Sequence, residues 1–381
     1  MKTRLAGYDG FTGMGQPIDK ITLSGFKSIR AMEDFPLRNL NILIGPNGAG
    51  KSNFVSFFAL LREAMHARLQ VFVEKNGGAD DHLFLGSKIT DEIHAHLRFG
   101  ATGYEMRLEH TARNSFVFAD ERFHWKPVDA SSKNVSLGQG HRESMLLHPY
   151  QSDEDQPIGR SIRSSLSNST MYHFHDTSAN APVRRFCSVR DYEYLRPDAA
   201  NLGVFLHFVH HEHPTAYEKI REIIRLAAPF FDDFKLRPKA SNGDEVLQLE
   251  WTQRGSDYPF HVNQLSDGTL RFIALATALL QPEPPTTMLI DEPELGLHPY
   301  ALNLFAGLVK KAAAKTQVIV STQSAPLLDN FEPEDIIVVE REEGASTFKR
   351  LSSQDLAEWL KDYSLGELWQ KNVIGGRPVD G

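Results

Sequence analysis

Cysteine is nearly absent: the 381 residues contain one, Cys187. That excludes an intrachain disulfide and a cysteine-rich zinc site, and it fits a reducing cytosol. Long apolar runs are missing too. Stretches such as Phe272 to Leu280 fall far short of the roughly 20 residues that a membrane-spanning helix needs, and the first residues carry no continuous apolar segment of the export-signal kind. The expectation is a cytoplasmic protein with no membrane association. Net positive charge is also lacking. With 41 Lys and Arg against 49 Asp and Glu, the formal charge of −8 does not advertise a general nucleic-acid binder, although clustering can hide a basic face on an acidic protein. No internal repeat and no coiled-coil heptad is present. What remains, 41% hydrophobic and 24% charged residues, is the composition of an ordinary globular protein with one large or two ordinary domains.

Against that background one stretch stands out, Asn41-Ile42-Leu43-Ile44-Gly45-Pro46-Asn47-Gly48-Ala49-Gly50-Lys51-Ser52. An apolar run ends in a glycine-rich turn, and the turn opens into a helix whose inner stripe is Phe54, Phe57, Phe58, Leu61 and Met65. The order strand, G-x-x-x-x-G-K-S turn, helix is the context a phosphate loop requires. Gly45, Gly48 and Gly50 let backbone N–H groups close around a polyphosphate, and the positive end of the helix points at the same charge. Lys51 then reaches the β- and γ-phosphates, Ser52 places its hydroxyl on Mg²⁺, and the nucleotide-contacting run extends from Gly45, Pro46, Asn47, Gly48 and Ala49 through Gly50, Lys51 and Ser52 to Asn53. Far downstream, Thr286 to Glu292 reads as a buried strand ending in two carboxylates, at the edge where open α/β sheets place ligands. Asp291 would complete the Mg²⁺ site begun by Ser52, and Glu292 would polarise the attacking water. Before that strand, Leu265-Ser266-Asp267-Gly268-Thr269 opens a helix; Ser266 and Gly268 offer a hydroxyl and free N–H groups to an anion, though read alone the segment is only an N-cap.

The rest of the chain arranges itself around these motifs. Residues 1–18 read as a flexible extension, and 19–128 as the first half of an ATPase core with a small antiparallel sheet formed by Glu92 to Phe99, Tyr104 to Glu109 and Ser115 to Trp125. Residues 129–235 read as an insertion: a polar loop from Asp129 to Ala181, then helical spacing from Asn201 to Phe231 with His207, His210, His211 and His213. Those histidines could share a helix face around a metal, but interleaved Phe205, Phe208 and Val209 favour surface or partly packed roles. Residues 236–340 form the second core half, with Glu245 to Trp251 and Gln317 to Val320 as further strands, and 341–381 form a tail. Strands alternating with helices give an α/β class with a mainly parallel sheet flanked by helices. Arg184, Arg185, Arg190 and Arg196 make a basic stretch that reads as a solvated face or a phosphate contact.

Taken together, Gly45 to Ser52, Leu265 to Thr269, Asp291-Glu292-Pro293-Glu294-Leu295-Gly296-Leu297-His298-Pro299 and Ser321-Thr322-Gln323-Ser324 resemble ABC-type AAA ATPases of the SMC/RecF-like group, and Lys20 to Ile29 resembles that group's N-terminal strand and turn. The D-E-P-E-L-G-L-H-P form is that of the SMC/RecF-like and OLD-like groups rather than of transporter ATPases. The resemblance implies a P-loop fold of ABC-head type, ATP and Mg²⁺ as cofactors, and an ATP-sandwiched homodimer or higher homo-oligomer in which Ser266 and Gly268 grip the nucleotide held by the other chain. It implies Glu292 and Gln323 as catalytic groups. Gln323 stands where the family usually has a histidine, and it cannot carry charge, which points to slow turnover. No glutamine loop is evident after Ser52; Gln70 is a poor candidate. The 57 residues after Ser324 are too few for the Toprim nuclease domain of OLD proteins, so the resemblance implies a switch in DNA maintenance or anti-phage defence with a separately encoded effector such as a nuclease, and with nucleic acid as a further partner. The tail, Tyr363-Ser364-Leu365-Gly366-Glu367-Leu368-Trp369 with Gly375-Gly376-Arg377-Pro378 behind it, resembles the end of stand-alone ATPases of this group; equally it reads as an amphipathic helix docked through Trp359, Leu365, Leu368 and Trp369. Two alternatives stay open: a soluble ATPase subunit of a membrane transporter, and a nucleotide-binding scaffold with little hydrolysis.

Overall fold

The computed structural model describes residues 15–126, 131–148, 155–241 and 243–376. At its centre lies a six-stranded sheet in the order Ala345–Arg350, Ile336–Glu342, Leu40–Ile44, Gln317–Thr322, Thr287–Asp291, Ser169–Tyr172. Every neighbouring pair is parallel except the first, which is an antiparallel hairpin. Leu40–Ile44 and Gln317–Thr322 are buried at every residue, and strands of that kind need cover on both faces. Alternation divides the cover. Ile42, Ile44, Ile290 and Val320 point into a core shared with the helices Asp267–Leu280 and Pro299–Ala313, whereas Leu43, Leu289 and Ile319 face the helix Lys51–Ala64.

Parallel strands leave all their C-terminal ends at one edge. Register pairs Asp291 with Ser321, Thr322 with Ile44 and Ile290 with Tyr172. The glycine-rich turn, the two carboxylates, Gln323 and the segment after Tyr172 therefore leave the sheet side by side. A second six-stranded sheet, antiparallel throughout, runs Ile29–Pro36, Lys20–Phe26, Glu92–Phe99, Thr102–His110, Phe116–Trp125, Lys133–Gly138. Its buried alternate residues, among them Leu23, Ile93 and Leu108, pack on the inner stripe Phe54, Phe57, Phe58 and Leu61 of the helix Lys51–Ala64.

The polar stretch before Ala181 is more ordered than its composition suggests. It contains the strand Lys133–Gly138, the helix Asp155–Ser167 and the strand Ser169–Tyr172, the last of which completes the central sheet. The helix docks because Ile158, Ile162 and Leu166 fall at i, i+4 and i+8 and join the core; its first residue, Asp155, accepts from Trp125 Nε1 (3.2 Å) and pairs with Lys133 Nζ (3.0 Å). Asp129 itself lies outside the described residues.

Other expectations shift at the edges. Glu245 to Trp251 is not one strand but two, Asp244–Leu247 and Glu250–Gln253, in different three-stranded sheets. The break at Gln248 and Leu249 occurs because Gln248 Nε2 donates to Arg184 O (2.7 Å) while Leu249 is buried in the core. Of the N-terminal extension, residues 1–14 lie outside the described residues; Gln16 N donates to Ser165 Oγ (2.7 Å) and Ile18 is buried, so the chain is already seated there. Arg184 is buried rather than solvated. Trp359 is exposed and takes no part in docking the tail, whose helix Leu365–Gln370 is seated by Leu365 and Leu368. No described helix is long and apolar enough to cross a membrane.

Candidate functional site

The glycine-rich turn is shaped by close approach. A methyl group on Gly45 would stand 2.2 Å from Val339 O, and one on Gly50, whose φ is +113°, would stand 2.0 Å from Ser346 Oγ. Only glycine fits either place. Gly50 is also the N-cap of the helix Lys51–Ala64, with no side-chain cap and no acidic residue in the first turn, so the free N–H groups and positive helix end face the turn unopposed. Ser346 Oγ donates to Ala49 O (2.5 Å) and lies 2.6 Å from Ser28 Oγ, which accepts from Asn53 Nδ2 (2.7 Å). Lys51 Nζ donates to Gly45 O (2.6 Å) and Pro46 O (3.1 Å). Burial lowers the Lys51 pKa, opposed by the carboxylates of Glu292, Asp291 and Glu294. Ser52 is exposed at the helix start.

Across from the turn, Gln323 gathers the site. Its Nε2 donates to Glu292 Oε1 and to Asn47 Oδ1 (2.7 Å), which links the carboxylate strand to the turn. Glu292 has φ +42°, a left-handed conformation held by its N–H donating to Ser321 O (2.8 Å); for a residue with a Cβ this costs on the order of 1–2 kcal/mol. Glu294, which the sequence reading did not count among the site residues, supports Gln323 from behind: its Oε1 accepts from Gln323 N (2.8 Å) and Thr322 Oγ1 (2.8 Å), and burial pushes its pKa up. The D-E-P-E spacing was the signal that could have found it.

Asp291 Oδ1 and Ser321 Oγ are buried without hydrogen-bond partners. Two unsatisfied oxygens on paired strands, within electrostatic reach of Lys51, fit a hydrated hard cation shared with a phosphate. Among the described residues no three His, Cys, Asp or Glu side chains converge as a metal site on their own, so any cation there would take the rest of its shell from water and phosphate oxygens.

The segment after the strand Ser169–Tyr172 adds two residues that the motifs do not announce. His175 Nε2 hydrogen-bonds Asp291 O (2.9 Å), and His173, whose pKa is lowered by burial, stands edge-on to it with ring centroids 6.1 Å apart. The alternation Tyr172-His173-Phe174-His175, with the aromatics buried, was the available signal.

Ser266 and Gly268 are not brought to the phosphate turn of their own chain. Ser266 Oγ caps its helix by accepting from Thr269 N (3.2 Å), and a methyl on Gly268 would meet Gly296 O at 2.1 Å. Among the described residues no hydrogen bond or ion pair joins either to Gly45–Asn53. The loop is braced instead by Arg184, which donates to Val262 O (2.7 Å) and Asp267 Oδ1 (2.8 Å). Beside the turn, a cavity of about 460 Å³ is lined by Lys27, Ser28, Asn53, Phe84 and Arg341.

Residues 40–330 match the family model described as "AAA domain, putative AbiEii toxin, Type IV TA system". No curated protein matches at a significant level. Among solved structures, the chain is similar to an Smc head bound to the C-winged helix domain of ScpA, with 18% identity and a TM-score of 0.54 over 90% of this chain and 99% of that one. It is also similar to an Smc head with an extended coiled coil bound to the C-terminal domain of ScpA derived from Pyrococcus furiosus, with 16% identity and a TM-score of 0.50 over 91% and 99%. At such identities the likeness shows the fold alone: the mixed α/β, P-loop fold of an ABC-type ATPase head.

Proposed function

Because the chain belongs to the AAA domain family described as putative AbiEii toxin of a Type IV TA system, we propose that it is an ATP-hydrolysing switch whose closed state is a pair of chains sandwiching two nucleotides. The observation that carries this reading is the chain Asn47–Gln323–Glu292, which joins the phosphate turn to a carboxylate strand whose Asp291 Oδ1 is buried and unpaired. Gly45–Lys51 hold the β- and γ-phosphates, Lys51 leaving its two carbonyl partners to meet them, and the cavity lined by Lys27, Asn53 and Arg341 has room for the base and ribose. Mg²⁺, held by Ser52 and Asp291, would neutralise charge developing on the transferred phosphoryl group. Glu292, oriented by Gln323, takes a proton from the attacking water. Gln323 offers a hydrogen bond but no charge to the γ-phosphate, and turnover is correspondingly slow.

In the closed pair, Ser266 with Gly268 of a second chain would meet the γ-phosphate from the side opposite Lys51. ATP then stabilises only the closed pair, so nucleotide state becomes assembly state. The family description supports a role in defence, and we assign a separately encoded effector as the partner of the closed form. The test is Glu292→Gln with mass measured in solution. We expect a monomer without nucleotide and a stable dimer with ATP; a variant that binds ATP and stays monomeric would defeat the sandwich. Steady-state phosphate release, abolished by Lys51→Ala and by Glu292→Gln, separates this reading from that of a passive nucleotide-binding scaffold.

A further inference from the structure

The family match ends at residue 330, yet the chain comes back to the site after it. The helix Leu365–Gln370 lies on the short helix Ala325–Leu328, the segment that directly follows Gln323 and Ser324. Gly366 N donates to Asp329 Oδ1 (2.7 Å), and a methyl group on Gly366 would stand 2.5 Å from Ala325 O. Further on, Gly376 N donates to Glu340 Oε1 (2.7 Å) and Gly376 O accepts from Trp369 Nε1 (3.1 Å). A methyl group on Gly376 would lie 3.0 Å from Val338 Cγ1 and 3.6 Å from the Cα of Gly45. Gly45 thus borders the space beside Gly376 of this tail, is close-packed against Val339 O, and its own carbonyl holds the Lys51 ammonium at 2.6 Å. One end of the tail rests on the segment that carries Gln323; the other lies beside the first residue of the phosphate turn.

We propose that Leu365–Gly376 is a positioning element of the nucleotide site, in which Trp369 and Glu340 hold Gly376 beside Gly45 while Gly366 seats the segment bearing Gln323. This rests on the ATPase reading above. The two contacts act on different steps. Gly45 belongs to the phosphate-binding turn, so loosening Gly376 weakens nucleotide binding. Gln323 orients Glu292, so displacing the helix at Gly366 slows turnover more than it weakens binding.

The test uses the full chain and reads ATP affinity, kcat and melting temperature for each variant. Trp369→Phe keeps an aromatic ring but has no N–H to donate; losing one such hydrogen bond should raise the Kd for ATP about threefold to tenfold with kcat nearly unchanged. Gly366→Ala should lower kcat roughly tenfold or more through misplacement of Gln323, with a smaller change in Kd. Lys51→Ala and Glu292→Gln are the controls. If both controls still release phosphate at the wild-type rate, the ATPase reading fails and takes this proposal with it. If the controls are inactive but Trp369→Phe and Gly366→Ala shift only the melting temperature, the tail is a structural strap and this proposal alone is overturned. Should Gly366→Ala not fold, the Kd of Trp369→Phe decides by itself.

Discussion

At the scale of single residues, burial sets the chemistry. His82 is fully buried among the rings of Phe26, Phe72 and Phe116, with Nδ1 on Gly78 O (2.8 Å) and Nε2 without a partner. Burial lowers its pKa below the ordinary 6.5, more than the bond to Gly78 raises it. The ring is neutral in the fold, and the unfolded chain binds a proton more readily below pH 6.5. Stability from this group is therefore complete above that pH and is lost as pH falls toward the lowered value. We expect the urea midpoint to drop between pH 7.5 and 5.5, and to drop by less in His82→Gln; an equal drop would show that His82 does not titrate on unfolding. Residues differ in how plainly the sequence announces them. Gly45 to Ser52 and Asp291-Glu292 are legible because each motif compresses its chemistry into adjacent positions. His175 is less so: the alternation Tyr172-His173-Phe174-His175 hints at a strand end, but only the fold puts that end beside Asp291. Glu294 falls between: it is in the motif, but its work on Gln323 shows only when Thr322 and Gln323 fold over it.

At the scale of elements, length and dilution decide what can be read. The strands Leu40–Ile44 and Thr287–Asp291 are apolar and bounded by motifs, so their places follow from pattern. Ser169–Tyr172 has four residues and three hydroxyls, too short and too polar to stand out, yet it closes one edge of the central sheet. The helix Asp155–Ser167 hides three core residues in a Ser- and Arg-rich run. Its attachment is testable. Ile162 is 1% exposed in the core beneath the antiparallel sheet, and Ile162→Ala should cost about 2–5 kcal/mol in urea unfolding. A loss well under 1 kcal/mol would mean that the helix is not docked as described.

At the scale of the whole molecule, the proposed sandwich makes the arrangement in one chain half a site. The phosphate turn and Gln323 meet within one chain, while Ser266 stands exposed and hydrogen-bonded only within its own helix start. Ser266→Arg adds bulk and charge where a second chain would close and disturbs no core contact. We expect it to keep the ATP affinity of the monomer and to abolish the ATP-dependent dimer seen by mass; a dimer that persists would place the contact elsewhere.

The order of strands in the central sheet also fixes when this machinery can first exist. Leu40–Ile44 is flanked by Gln317–Thr322 and Ile336–Glu342 and pairs with no strand nearer in sequence. During synthesis the phosphate turn therefore leaves the ribosome as an unsupported loop, and it stays so until almost the whole polypeptide has followed. A fragment that ends before Gln317 carries the motif without either of the strands that flank it.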